Sequence, residues 1–248
     1  MFETGLVSVS FRGESPERIL QEMVSANLKY IEWGSDVHAS CEDVERLQEI
    51  VKLQEQYGIT CCSYGTYFRL CVMPIEELPK YINAAKILGT TILRLWAGDK
   101  SPWLWTEEEK AFLFDQSRKA AQMAEQAGVT ICLECHRNTF TETKEASMEL
   151  MKAVNSPAFC MYWQPHATNT QQQNVEYIRH LHDYVMNIHA FYWQGSAKYT
   201  LADGIEEWRA YLREFSGDHK VLLEFMPDGR IESLQYEASV LREIISGI

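Results

Sequence analysis

Four side chains with ligand atoms recur one to a segment in the second half of the chain. They are Glu134 in VTICLECHRNT, Gln164 in FCMYWQPHA, His189 in VMNIHAF and Glu224 in KVLLEFMP. Each ends or follows a short apolar run, where a lone carboxylate is costly unless something pairs with it. Two carboxylates, an imidazole and a neutral amide oxygen form a mixed donor set. Such a set suits Mn²⁺, Mg²⁺, Co²⁺ or Zn²⁺ with positions left open for a substrate. It contains no thiolate, which argues against a closed structural zinc site. Singly, a glutamate at a strand end fits a solvated or ion-paired role, and a lone histidine fits a hydrogen-bonded structural one. The group of four, on successive segments at about one height, points to one divalent metal ion.

For these residues to meet, the segments carrying them must be neighbouring strands. Short apolar runs occur at GLVSVSF, KYIEWG, ITCCSYG, TILRLWAG, VTICLE, FCMYWQ, VMNIHAF and KVLLEF, and the stretches between them place apolar residues three and four apart. Ser15-Pro16 is a helix start. Gly58, Gly89, Gly128 and Gly217 stand at or near helix exits. Eight strand-then-helix units in 248 residues predict an α/β fold, a (β/α)8 TIM barrel forming a single domain over residues 1–248. The absence of a GxGxxG or P-loop pattern argues against a doubly wound open sheet. Strand alternation then puts Glu134 on a face with Cys132 and His136, and Gln164 with Tyr162 and His166. By the same rule His189 shares a face with Asn187 and Phe191, and Glu224 with Leu222 and Met226. Cys132 and Cys135 form a C-x-x-C on a strand, where an offset of three turns the thiols to opposite faces.

Composition narrows the partners. Hydrophobic residues make up 46% and charged residues 23%, the balance of a soluble globular protein. A net charge of −12 with no basic cluster disfavours nucleic acid. No run approaches the length of a membrane helix, and the first residues, MFETGLVSVSF, lack the basic flank of a signal peptide. Seven scattered cysteines, an odd number, read as a reduced, cytoplasmic protein. No distinct exposed apolar stretch marks an interface, and a homo-oligomer stays open.

The segment VTICLECHRNTFTETKEASMELMKAV resembles the fifth strand, loop and helix of the xylose isomerase-like barrels, the sugar phosphate isomerase/epimerase group. There the strand commonly ends in Glu-x-His before a Thr-rich loop. The resemblance extends through YIEWGSDVHAS, ILRLWAGDKSP, MYWQPHA, NIHAFYW and LLEFMPDG. As in the ketose 3-epimerases, it implies one divalent metal held by Glu134, Gln164, His189 and Glu224. It also implies Glu134 and Glu224 as catalytic bases on opposite faces of a ketose or keto-sugar, isomerised or epimerised through a metal-stabilised enediolate. The alternative keeps the site and makes the protein a lyase or dehydratase of a keto-sugar, keto-inositol or 3-keto-glycoside. A non-catalytic sugar-binding barrel comes third. The family usually has Asp on the sixth strand, followed shortly by His. Gln164 here implies a weaker-held metal of stronger Lewis acidity, with His166 as the alternative ligand on that strand.

Around the metal, Glu32, His38, Arg94, Trp96, His136 and His166 are candidate substrate-binding residues. Arg94 has a second reading, an ion pair to Glu32 or Asp36. Trp103, Trp105, Tyr192 and Trp193 offer rings that stack on sugar faces. Gly195, Ser196 and Lys198 lack the repeated glycines of a phosphate loop, which favours an unphosphorylated substrate. A three-metal DNA-repair nuclease like endonuclease IV fits poorly with the −12 charge and seven histidines. A two-carboxylate glycosidase would need no cation.

Overall fold

Helix starts and stops written in the sequence are realised in the computed structural model, which describes residues 1–248. Ser15 accepts the Arg18 N–H ahead of α1 (Pro16–Ser25), and Asp43 accepts that of Arg46 at α2 (Val44–Tyr57). α3 (Leu78–Ile87) is followed by α4 (Glu107–Ala127), which Thr106 and Glu109 cap reciprocally. Gly58 and Gly128, at φ of 65° and 69°, close α2 and α4 in the left-handed conformation. α5 (Lys144–Val154), α6 (Gln171–Leu181), α7 (Ile205–Leu212) and α8 (Leu234–Ser246) complete the outer ring.

The strands in chain order are β1 (Phe2–Val7), β2 (Tyr30–Gly34), β3 (Thr60–Leu70), β4 (Ile92–Ala97), β5 (Thr130–Glu134), β6 (Phe159–Trp163), β7 (Val185–Ala190), β8 (Tyr192–Gln194), β9 (Ala197–Tyr199) and β10 (His219–Leu223). Eight of them form a closed parallel barrel, in which β1 pairs with both β2 and β10. β8 and β9 form a separate antiparallel hairpin. The fold is therefore the expected TIM barrel.

The main core lies between sheet and helices, while Val7, Val9, Cys132, Tyr162 and Leu222 form a smaller apolar cluster inside the barrel. Cys132 belongs to the inner cluster and Cys135 to the outer core, and both are free thiols, as alternation required. No helix is long and apolar enough to cross a membrane.

Two strands depart from the sequence reading. β1 stops at Val7, and Ser8–Phe11 form a 3-10 turn in place of the expected strand end. Ser8 explains the turn: its hydroxyl accepts the Gly34 N–H at 2.9 Å, tying the chain to the neighbouring strand from the side. β3 runs five residues past the Gly65 where its apolar segment was expected to end, and its register against β4 breaks between Gly65 and Arg69.

Candidate metal centre

Glu134 is the last residue of β5, His189 lies near the end of β7, and Glu224 is the first residue beyond β10. Their ligand atoms all fall within 4.8 Å of one another. The His189 Nδ1 atom is the focus: it lies 3.8 Å from Glu134 Oε1 and 3.6 Å from Glu224 Oε2. Gln164 Oε1, from the residue just after β6, lies 3.3 Å from the same nitrogen. All four residues are buried. Cys135 holds the Gln164 backbone by accepting its N–H at 3.2 Å and donating its thiol to the carbonyl at 3.4 Å.

The two glutamates are not equivalent. Glu134 Oε2 accepts from Arg94 Nη1 and, at 2.7 Å, from Trp96 Nε1. Glu224 has only His189 within ion-pair distance. Burial works against ionisation of both. For Glu134, the Arg94 guanidinium outweighs burial and holds the carboxyl well below the usual range. For Glu224, burial prevails over the attraction of His189 and its pKa rises.

A third acid completes the charge count. Glu32, fully buried on β2, accepts from Arg94 Nε at 2.8 Å and from Ser63 Oγ at 2.7 Å. Burial acts to raise its pKa, but Arg94 and then His189 bring it down to about 2. Glu32 and Glu134 thus share one fixed cation, Arg94, and Glu224 pairs with none, so three carboxyls out of water meet a single guanidinium. The same acids act on the His189 pKa. Burial alone would lower that pKa, yet Glu224 and Glu32 raise it to about 10. A dication in the same place would balance the acids with His189 neutral. Carboxylate oxygens, an imidazole nitrogen and an amide oxygen are chemically suited to one. The residues present fit the metal that the sequence implied, with the correction that three carboxylates, not two, bear on it.

The sequence profile of the xylose isomerase-like TIM barrels matches residues 20–191. The chain belongs to that family. A 3-dehydroshikimate dehydratase of Bacillus anthracis is 24% identical over 188 residues, 67% of each chain. Among solved structures, a probable 3-DHS dehydratase of Bacillus anthracis superposes with a TM-score of 0.80 at 17% identity, covering 98% of this chain and 99% of the other. A D-allulose 3-epimerase from Methylomonas sp. gives 0.72 at 15% identity, covering 98% of each. A zinc-bound IolI protein gives 0.74 at 16%, covering 99% and 98%. At these identities the superpositions speak for the fold alone.

The other candidate residues scatter around the mouth of this xylose isomerase-like barrel. Arg94, Trp96 and His136 line a cavity of about 180 Å³ together with Glu134, Gln164 and Glu224. His136, Gln164 and Trp193 also line an adjoining cleft of about 350 Å³ that takes in Arg137 and His166. His166 follows Pro165 in a loop, not on the strand face expected; burial lowers it to about 4, and Gln164, not His166, is the residue that meets His189. Two placements correct the sequence reading. His38 is consumed between Ser8 Oγ at 3.0 Å and the Glu14 carbonyl at 3.2 Å, so it ties two loops together away from the cavity. Glu32 lies behind His189, in neither cavity.

Arg94 has both roles in part: it pairs with Glu32 and with Glu134, whereas Asp36 pairs with Arg12. Of the four aromatic candidates only Trp193 lines the inner cavity. Trp105 packs edge-on against Phe140, Trp103 points to solvent, and Tyr192 donates to Glu207. Gly195 and Ser196 turn the β8–β9 hairpin, and Lys198 lies over the Trp193 ring.

Sequence reasoning missed Tyr67 and Arg69, which the long β3 carries to the mouth. Tyr67 meets Trp96 edge-on at 4.9 Å, and Arg69 lies 4.2 Å over the same ring. It also missed Gly65. A Cβ there would fall 2.5 Å from Glu32 Oε1 and 2.9 Å from Arg94 Nη2, so the absent side chain makes room for the ion pair. A glycine inside a strand was the available signal.

Proposed function

We propose that this barrel is a divalent-metal-dependent lyase. It takes a proton from the carbon beside a carbonyl in a small hydroxylated substrate and expels a neighbouring hydroxyl as water. The isomerase or epimerase implied by the family resemblance shares the first half of this reaction. The observation that supports elimination is the inequality of Glu134 and Glu224. Inverting one carbon by two bases asks for a free proton acceptor on each face. Glu134 is poorly placed for that, because Arg94 and Trp96 fill Oε2 while Oε1 turns toward His189.

His136 is the better base. Its Nδ1 lies 2.7 Å from the Arg137 carbonyl, an acceptor, so Nδ1 carries the proton and Nε2 keeps a free lone pair. The side chain lines the cavity of Glu134, Gln164 and Glu224. His136 Nε2 takes the substrate proton, and the same proton passes to the departing hydroxyl. Water leaves, the carbon–carbon double bond forms, and the histidine returns to its starting state.

Glu134, Gln164, His189 and Glu224 would hold the metal, which supplies a Lewis acid for the carbonyl oxygen. Glu224 Oε1, which no protein group engages, accepts from a substrate hydroxyl. Trp96, Phe191 and Trp193 wall the cavity with flat apolar faces that exclude water.

The first compound to try is 3-dehydroshikimate, the substrate in the name of the Bacillus anthracis relative. Loss of water makes its ring aromatic. Manganese-loaded protein is incubated in D₂O with 3-dehydroshikimate and, separately, with D-allulose. An aromatic product is expected from the first, abolished by chelation and slowed by about 10²–10⁴ in His136→Asn, the usual loss of a general base. An epimer of D-allulose, or deuterium entering the keto acid without loss of water, would return the protein to the isomerases.

A further inference from the structure

Glu32 is a buried acid that the proposed reaction does not use. Its Oε2 accepts from Ser63 Oγ at 2.7 Å and its Oε1 from Arg94 Nε at 2.8 Å. The same Oε1 lies 3.5 Å from His189 Nε2, a buried nitrogen with no hydrogen-bond partner. The other edge of the ring presents Nδ1 to Glu134, Gln164 and Glu224. A neutral imidazole carries one proton. On Nε2 it leaves the Nδ1 lone pair free for an ion; on Nδ1 it blocks that edge.

We infer that Glu32 is a positioning residue of the metal centre. It holds the Nε2 proton of His189, which selects the tautomer with Nδ1 free, and it carries the negative charge that Gln164 lacks. The inference rests on the metal reading above. A carboxylate behind a ligating histidine fixes the ring and strengthens it as a ligand. Several features of this chain serve that placement. Gly65 leaves space at the carboxylate, Ser63 anchors its far oxygen, and Arg94 bridges Glu32 to Glu134 so that the two acids sit in one chain of charges. Glu32 lines neither of the two cavities described at the mouth, so its action passes through His189 and not through a substrate bound there.

Zinc binding by competition with a chelator, and nitrogen-15 NMR of His189 in the zinc-loaded protein, test this in wild type, Glu32→Gln and Glu32→Gln/Gln164→Asp. Glu32→Gln is expected to weaken zinc about 10–100-fold, the usual effect of losing such a partner. The slowly exchanging, downfield Nε2–H signal of wild type should move upfield and exchange faster. Restoring a charge with Gln164→Asp should recover part of the affinity but not the Nε2–H signal. Unchanged affinity in folded Glu32→Gln overturns the inference. So does lost affinity with an unmoved signal, because Glu32 would then act by charge alone. Wild type that binds no zinc overturns the metal reading itself and the inference with it. Should Glu32→Gln fail to fold, Ser63→Ala carries the same comparison, with a weakening of about threefold expected for a loosened hydrogen bond to a charged group and no change in either readout overturning it.

Discussion

At the N-terminal end of the barrel, Glu3 on β1 accepts from Tyr30 Oη at 2.7 Å and pairs with Lys220, while Asp218 takes the terminal ammonium at 2.9 Å. Each acid there has a cation and water to share. At the C-terminal end, Glu32 and Glu134 share a single arginine and Glu224 pairs with none, all three with almost no exposure. The first arrangement is matched pair by pair and needs nothing more. The second carries a buried excess of acid that raises the pKa values of both His189 and Glu224. In TIM barrels, stability resides at the first end and chemistry at the second, and the charge pattern separates them here without reference to any ligand.

Arg94→Met should break this contrast hardest. Removing the one fixed cation leaves Glu32 and Glu134 buried and unpaired, and about 3–5 kcal/mol of stability should be lost in denaturant unfolding of the metal-free protein. A loss under about 1 kcal/mol would mean that water reaches these acids after all. Gly65→Ala keeps every charge and pushes a methyl group against the Glu32–Arg94 pair. It should cost about 1–3 kcal/mol by overpacking, and calorimetry would show whether the pair can yield.

The excess of acid also has a signature in pH. In the metal-free protein a His189 raised to about 10 is charged at neutrality. Its stabilisation is complete below the unfolded value of about 6.5 and is lost as pH climbs through about 10. A metal must displace that proton, so manganese affinity should rise by about tenfold per pH unit between pH 6 and 8. Flat affinity over that range would exclude His189 as the ligand that gives up a proton. Lys220→Met at the opposite end should do least. The partly exposed pair with Glu3 is worth about 1 kcal/mol or less, and manganese affinity should not move.

The barrel was legible because its repeat is written in apolar runs, and packing against one continuous helix layer forces those runs into neighbouring strands. Glu134, Gln164, His189 and Glu224 were legible for the same reason: each stands at the end of a run, and the ends of parallel strands meet at one rim. Glu32 also stands in such a run, on KYIEWG, yet it lines neither cavity. Periodicity says that a residue points inward, not whether it stops behind a neighbour or reaches the opening. His38 shows the same gap, since its partner Ser8 lies in a turn that apolar patterning read as strand and its partner Glu14 in the loop just beyond. Tyr67 and Arg69 were lost to the assumption that Gly65 ends β3, where the glycine instead admits two charged side chains beside a strand that continues.

Val7, Val9, Cys132, Tyr162 and Leu222 fill the barrel interior beneath the acids. That filling closes the way through the barrel to the cavity lined by Glu134, Gln164 and Glu224. In the proposed reaction substrate and product would both pass Trp193 at the mouth, so product should inhibit competitively with substrate, and bulk added to the β8–β9 hairpin should slow entry and exit together.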